Sequence, residues 1–162
     1  MVKICRNCLN MFEGHISTDN CPMRECGGWE LIEIDDMLAD VIIRFWSLGI
    51  STASCCSGHL YESCFSPHIR FDELLDDEGR DALTFLREMI VDLNADENLV
   101  EIGEIMTFPD MYVFTVSAKQ CENHPIDRLL VQSDYLFFLY EAVDFIQMVI
   151  FEDCGCACDE TD

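Results

Sequence analysis

The chain reads as an α+β protein in two parts, a small cysteine-stapled module followed by an antiparallel-rich sheet with helices packed on one face. Three observations predict this. Four cysteines, Cys5, Cys8, Cys21 and Cys26, open the sequence in two pairs. Behind them, segments of period two and segments of helical period follow one another as strand, helix, strand, strand, helix, strand, strand, helix. Half of the 162 residues are hydrophobic, enough to bury a core.

The elements follow in order. Residues 1–28 form the module, which ends at the Gly27-Gly28 pair. Residues 29–152 form the body, and 153–162 a flexible, acidic, cysteine-rich tail. Residues 29–34 alternate and read as a strand entering the body. Asp35 and Asp36 supply a cap and an acidic first turn for a helix whose buried face is Leu38, Val41 or Ile42, Phe45 and Leu48, with Gly49 at its end. Residues 50–56 and 67–71 read as strands around a Ser57-Gly58-His59 turn. The acidic stretch 72–78 leads into a helix with Ala82, Leu83, Leu86, Met89, Ile90 and Leu93 on one face. In that stretch Asp76-Asp77-Glu78 reads as a solvated connector, since it lacks the alternating spacing of a calcium loop. Residues 99–106 and 111–117 suit a hairpin around Phe108-Pro109-Asp110. Asn123 and Pro125 begin a last helix, with a break expected near Ser133 or Asp134. From 135 to 151 that helix is apolar except for the stripe Glu141, Asp144 and Gln147. Such a helix is buried on most sides, in the core or, over 134–151, against a second copy of the chain.

Cys5-x2-Cys8 and Cys21-x4-Cys26 are separated by twelve residues, close to the spacing of a zinc ribbon. A two-residue gap lets one turn present two thiolates at one edge of a tetrahedron, and a second turn supplies the rest. Four thiolates close the shell, so the expected cofactor is a structural zinc ion. The second pair has a longer gap than usual, and His15 is an alternative ligand. The chain carries 11 cysteines, an odd number clustered as CxxC, CC and CxC, with no apolar leader before them. This predicts reduced thiols and a cytoplasmic setting, the host cytoplasm if the protein is viral. Cys154, Cys156 and Cys158 read as a mobile reduced tail, with a second metal shell completed by Cys64 or Cys121 as the alternative.

Nine Lys and Arg stand against 32 Asp and Glu, a net charge of −23. Residues 1–30 hold three of the basic and four of the acidic residues, so the excess lies in the body. A polyanion repels phosphate backbones, which argues against direct nucleic-acid binding by the body and leaves three readings of the charge: solubility, a basic protein partner met by imitating nucleic acid, and a halophilic source. No run of about 18 apolar residues occurs, so no membrane span is expected.

The stretch Thr52-Ala53-Ser54-Cys55-Cys56-Ser57-Gly58-His59 carries the most chemistry in the body. A Ser-Gly turn aims backbone amides toward an anion. His68 and Arg70 share a face of the next strand. Together Cys56, Ser57, Gly58, His59, His68 and Arg70 form a candidate site for a phosphate or carboxylate. The alternative is a half-buried His68, a surface Arg70 and thiols that fill the core. The segment 37–71, with GISTASCCSGH and then SPHIRF, resembles a group of small uncharacterised phage and bacterial proteins that carry a CCSGH-type turn behind a zinc ribbon. It is faintly similar to the SCSGR turn of the wybutosine-synthesis protein 3 family, which modifies a tRNA base. His59 stands where that family has Arg, and methyl transfer is not carried over. The first resemblance implies a viral accessory protein that counters host defence.

Three functions fit. The first is a non-catalytic binder of a small anionic, nucleotide-like ligand. The second is an acidic inhibitor or adaptor that docks on a basic host enzyme. The third is an enzyme with Cys55 or Cys56 as nucleophile and His59 or His68 as acid/base, for which the sequence offers no orienting third group. The balance leans away from an enzyme.

Overall fold

The computed structural model describes residues 1–59, 65–74, 77–97, 99–103, 106–108, 111–119 and 125–153, excepting the side chains at 72–74, 77–83, 96–97, 106–108, 111–112 and 150–153. It is an α+β protein with two antiparallel sheets. Strands β1 (Val2–Cys5), β2 (Met11–Glu13) and β3 (Leu31–Ile34) make the first sheet in the order β2-β1-β3. A single 3-10 turn, Arg24–Cys26, precedes β3. Then come α1 (Ala39–Ser47), β4 (Thr52–Cys56), β5 (His68–Leu74), α2 (Asp77–Glu97), β6 (Val100–Ile102), β7 (Met106–Phe108), β8 (Met111–Ala118) and α3 (Pro125–Asp153). The second sheet runs β4-β5-β8-β6, with β7 also paired to β8.

The segment 29–34 enters differently from its sequence reading. Its strand β3 pairs with β1, Val2 opposite Ile34 and Cys5 opposite Leu31. One four-residue strand therefore serves two cores. Leu31 packs on the cysteine cluster and Ile34 on the main core. The expected hairpin is also divided. Both β6 and β7 pair with β8, separated at Gly103, whose N–H donates to the Thr115 carbonyl at 2.7 Å. A Cβ at Gly103 would press on Thr115 at 3.3 Å. Pro109, Asp110 and Asn123 lie outside the described residues.

The main core gathers residues from all three helices and one face of the larger sheet. Val41, Ile42 and Phe45 of α1 meet Ile69, Phe71, Phe114 and Val116 of β5 and β8, with Leu86 and Ile90 of α2. The rings of Phe45 and Phe71 meet edge-on and those of Phe71 and Phe114 stack, both at 5.1 Å. Alternation then sends His68 and Arg70 to the opposite face from Ile69 and Phe71.

Helix α3 is continuous through Ser133 and Asp134, where a break was expected. The buried residues on either side explain this. Gln132 and Tyr135 stand one turn apart and both bond to the sheet layer, which fixes the backbone between them. Phe138, Leu139, Ala142, Val143 and Ile146 continue the buried side. Asp144 and Gln147 of the polar stripe accept from Arg44 of α1. Phe137 and Met148 face outward, 57% and 59% exposed. Among the described residues no helix is long and apolar enough to cross a membrane.

Phe71 is the hub of the aromatic stack. Phe71→Ala is expected to lower unfolding stability by about 3–5 kcal/mol, read as a shifted denaturant midpoint with an unchanged slope.

Candidate functional site

Two turns build the amino-terminal cluster. The first runs from Cys5 to Asn10, closed by Leu9 N–H to the Cys5 carbonyl at 2.8 Å and Cys5 N–H to the Asn10 carbonyl at 3.1 Å. The second ends in the 3-10 turn, with Cys26 N–H on the Met23 carbonyl at 3.0 Å. They bring Cys5 Sγ to 3.3 Å from Cys26 Sγ, and Cys8 Sγ to 3.6 Å from Cys21 Sγ. All four sulfurs lie within 4.8 Å of one another, an arrangement that could hold a metal ion. Asn7 Nδ2 lies 3.4 Å from Cys26 Sγ, a donor in place for a thiolate. Hydrogen bonds from the Asn10 side chain and backbone draw Cys8 down to about 6, while burial raises Cys5 and pushes Cys21 up to about 12. His15, the alternative ligand, lies outside this cluster, exposed beside Glu13 at 3.0 Å.

Arg6, between the first two cysteines, fastens the cluster to the body. Its guanidinium donates to the Thr52 carbonyl and lies 5.1 Å from the centre of the Trp46 ring. A cleft of about 330 Å³ opens there between β3 and β4, with Arg6, Glu33, Trp46 and Ser54 on its walls.

The turn after β4 is more tightly built than its sequence suggests. Ser57 is 3% exposed and donates to Asp35 Oδ2 twice, through its hydroxyl at 2.6 Å and its N–H at 3.4 Å. The anion that meets the Ser57 amide is thus the chain's own carboxylate. Gly58 N–H points at Cys56 Sγ, 3.4 Å away. Gln132 Nε2 donates to the Ser57 and Gly58 carbonyls at 2.8 and 2.9 Å, so α3 clamps the turn from behind. His59 ends the turn, exposed, with its ring close to both Asp35 and Cys56. The ligand atoms of these three residues lie within 4.8 Å of one another.

His68 and Arg70 lie beside this turn. His68 is the cross-strand partner of Cys56 and Ser117, and Arg70 of Ser54 and Thr115. Residues so paired project to one face, so Cys56, His68, Ser54, Arg70, Thr115 and Ser117 form a polar surface behind the core. His68 Nδ1 is 2.9 Å from the Ser66 carbonyl. Arg70 Nε is buried without an acceptor, and no carboxylate pairs with Arg70 among the described residues. Cys55 turns the other way, to the core, where burial pushes its thiol up to about 11. Cys64, Cys121, Asp76 and the cysteines of the tail lie outside the described residues.

Comparison with family models, with curated proteins and with solved structures found no match. The geometry therefore carries the functional reading alone. Sequence reasoning missed Asp35 and Gln132. Asp35 reads locally as a helix cap, and it lies 22 positions before Ser57 in the chain. Gln132 carried a faint signal as a polar residue one turn before the buried Tyr135.

Gly58 has φ +80°, and a Cβ there would lie 2.7 Å from Pro67 Cγ and 2.8 Å from the Phe65 ring. Gly49 has φ +79° with nothing within 4 Å. Gly49→Ala should therefore cost about 1–2 kcal/mol of left-handed strain. Gly58→Ala should cost more than that, and thermal melts of the two variants check the order.

Proposed function

We propose that the protein is a zinc-stapled binding protein that holds a small anionic, nucleotide-like ligand on the β4–β5 face beside the Cys56–His59 turn. In this reading it is not an enzyme. It serves as a phage or bacterial accessory protein that withdraws such a ligand from a host defence response. The four thiols of the amino-terminal ribbon suit zinc, because a full thiolate shell leaves no open position for chemistry. They hold the fold and supply no reaction.

Arg70 carries the reading. A buried guanidinium nitrogen without an acceptor costs about 1–3 kcal/mol. In a chain of net charge −23, acids to neutralise it are abundant, yet none of the described ones does so. A ligand oxyanion would supply the missing acceptor, and a guanidinium fork suits phosphate. His68 stands two residues away on the same face, with Ser54, Thr115 and Ser117 as hydroxyl donors around them.

A second reading is favoured by the charge distribution: the acidic body docks on a basic host enzyme, with complementary potentials speeding the encounter. The exposed Phe137 and Met148 would suit contact with a second copy of the chain through α3.

Thermal melts separate these readings. Adenosine monophosphate and inorganic phosphate are expected to raise the melting temperature. Saturation at a hundredfold over Kd would correspond to about 2.7 kcal/mol, and Arg70→Ala should abolish the shift. If neither probe stabilises the protein while a basic partner binds in a salt-sensitive way, the docking reading replaces this one.

A further inference from the structure

We propose that Asp35, Cys56 and His59 form a second metal site, holding one zinc-like divalent cation through a carboxylate, a thiolate and an imidazole, with a fourth position open to solvent. The proposal does not depend on anion binding at Arg70.

Convergence comes first. A cation bonded at about 2.0–2.3 Å to each donor needs those donors roughly 3.3–3.8 Å apart. Here one ligand atom of each residue falls within 4.8 Å of the other two, the same limit that the four-cysteine cluster meets. Small side-chain rotations close the difference. The chemistry of the set also fits. One soft, one borderline and one hard donor suit zinc and its first-row neighbours rather than magnesium or calcium. Cys56 and His59 are separated by two residues, as in a metal knuckle, and the left-handed Gly58 makes that turn tight.

Hydrogen bonds orient two of the three donors, Asp35 and Cys56, as the partners of metal ligands do. Ser57 fixes Asp35 Oδ2 through two hydrogen bonds, and the Met37 N–H reaches Oδ1 at 3.5 Å. The Gly58 amide points at the Cys56 sulfur as an amide does toward a thiolate. Gln132 holds both carbonyls of the turn.

A Cys-His-Asp relay for nucleophilic catalysis would use the same residue types but needs a different geometry. There the imidazole hydrogen-bonds to both the thiol and the carboxylate. Among the described residues His59 makes neither bond, and Asp35 Oδ2 is committed to Ser57. The three groups surround a common point instead of forming a chain. His59 is exposed, so the vacant side of the shell would face solvent.

The test counts metal in the full-length reduced protein, dialysed against zinc and then against buffer, by plasma mass spectrometry. Wild type is expected to hold about two zinc ions per chain. His59→Ala and Asp35→Asn are expected to hold about one. The triple variant Cys154→Ser, Cys156→Ser, Cys158→Ser is expected to keep two. His59 is exposed and clear of the core, so His59→Ala should also melt like wild type in chelator, which separates ligand loss from misfolding. One ion in wild type, an undiminished count in His59→Ala, or a fall to one in the tail variant would each overturn the proposal.

Discussion

The hydrogen bonds between Ser57 and Asp35 hold the molecule's two halves in register. Asp35 follows β3, the last strand of the amino-terminal sheet, and precedes α1. Ser57 follows β4, an edge strand of the larger sheet. Their contact ties the end of the first sheet's last strand to the β4–β5 connection of the larger sheet. A hydrogen bond to a charged group contributes about 1.5–3 kcal/mol, and the burial of Ser57 keeps water from competing for it. Gln132 then satisfies the carbonyls of the same turn from α3, which would otherwise be buried without donors. Three segments distant in sequence thus meet at one four-residue turn, and each depends on the other two to keep its polar groups satisfied.

The scarcity of positive charge makes its placement informative. Lys3 is 8% exposed and binds the carbonyls of Ile16 and Thr18 and the Asp19 carboxylate, which anchors the loop between the two cysteine pairs. Arg6 docks the cysteine cluster on Trp46 and Thr52. Arg44 bridges α1 to the polar stripe of α3, and Arg128 lies over the Phe65 ring. Each of these cations joins parts of the fold. Arg70 lies on a face of hydroxyls and a histidine, with its Nε buried and without an acceptor, as is the Nε of Arg87. An acidic body also favours cations generally, so a cation held by Asp35, Cys56 and His59 would suit the protein's own field.

What was legible in the sequence was what depends on local spacing. Leu38, Val41, Ile42 and Phe45 announce α1 by their period, and all four are buried. The Cys5, Cys8, Cys21 and Cys26 pairs announce their own meeting. The alternation of His68 and Arg70 with Ile69 and Phe71 places them on the outer face. What was hidden depends on tertiary contact. No local rule links Asp35 to Ser57, and an aspartate before a helix is read first as its cap. The path of β3 was hidden for the same reason, since a strand's partner is chosen by the core that both strands share. The break expected at Ser133 does not occur because Gln132 and Tyr135 anchor the helix on either side of it, a constraint that propensity alone cannot register.

As proposed, the Cys56–His59 turn is an assembled metal site and the amino-terminal cysteines are a staple. Anomalous diffraction at the zinc absorption edge, from crystals of the full-length reduced protein, tests it most directly. Two peaks are expected, one centred among Cys5, Cys8, Cys21 and Cys26 and one between Asp35, Cys56 and His59. A single peak at the four cysteines, or a second peak anywhere other than the turn, would contradict it.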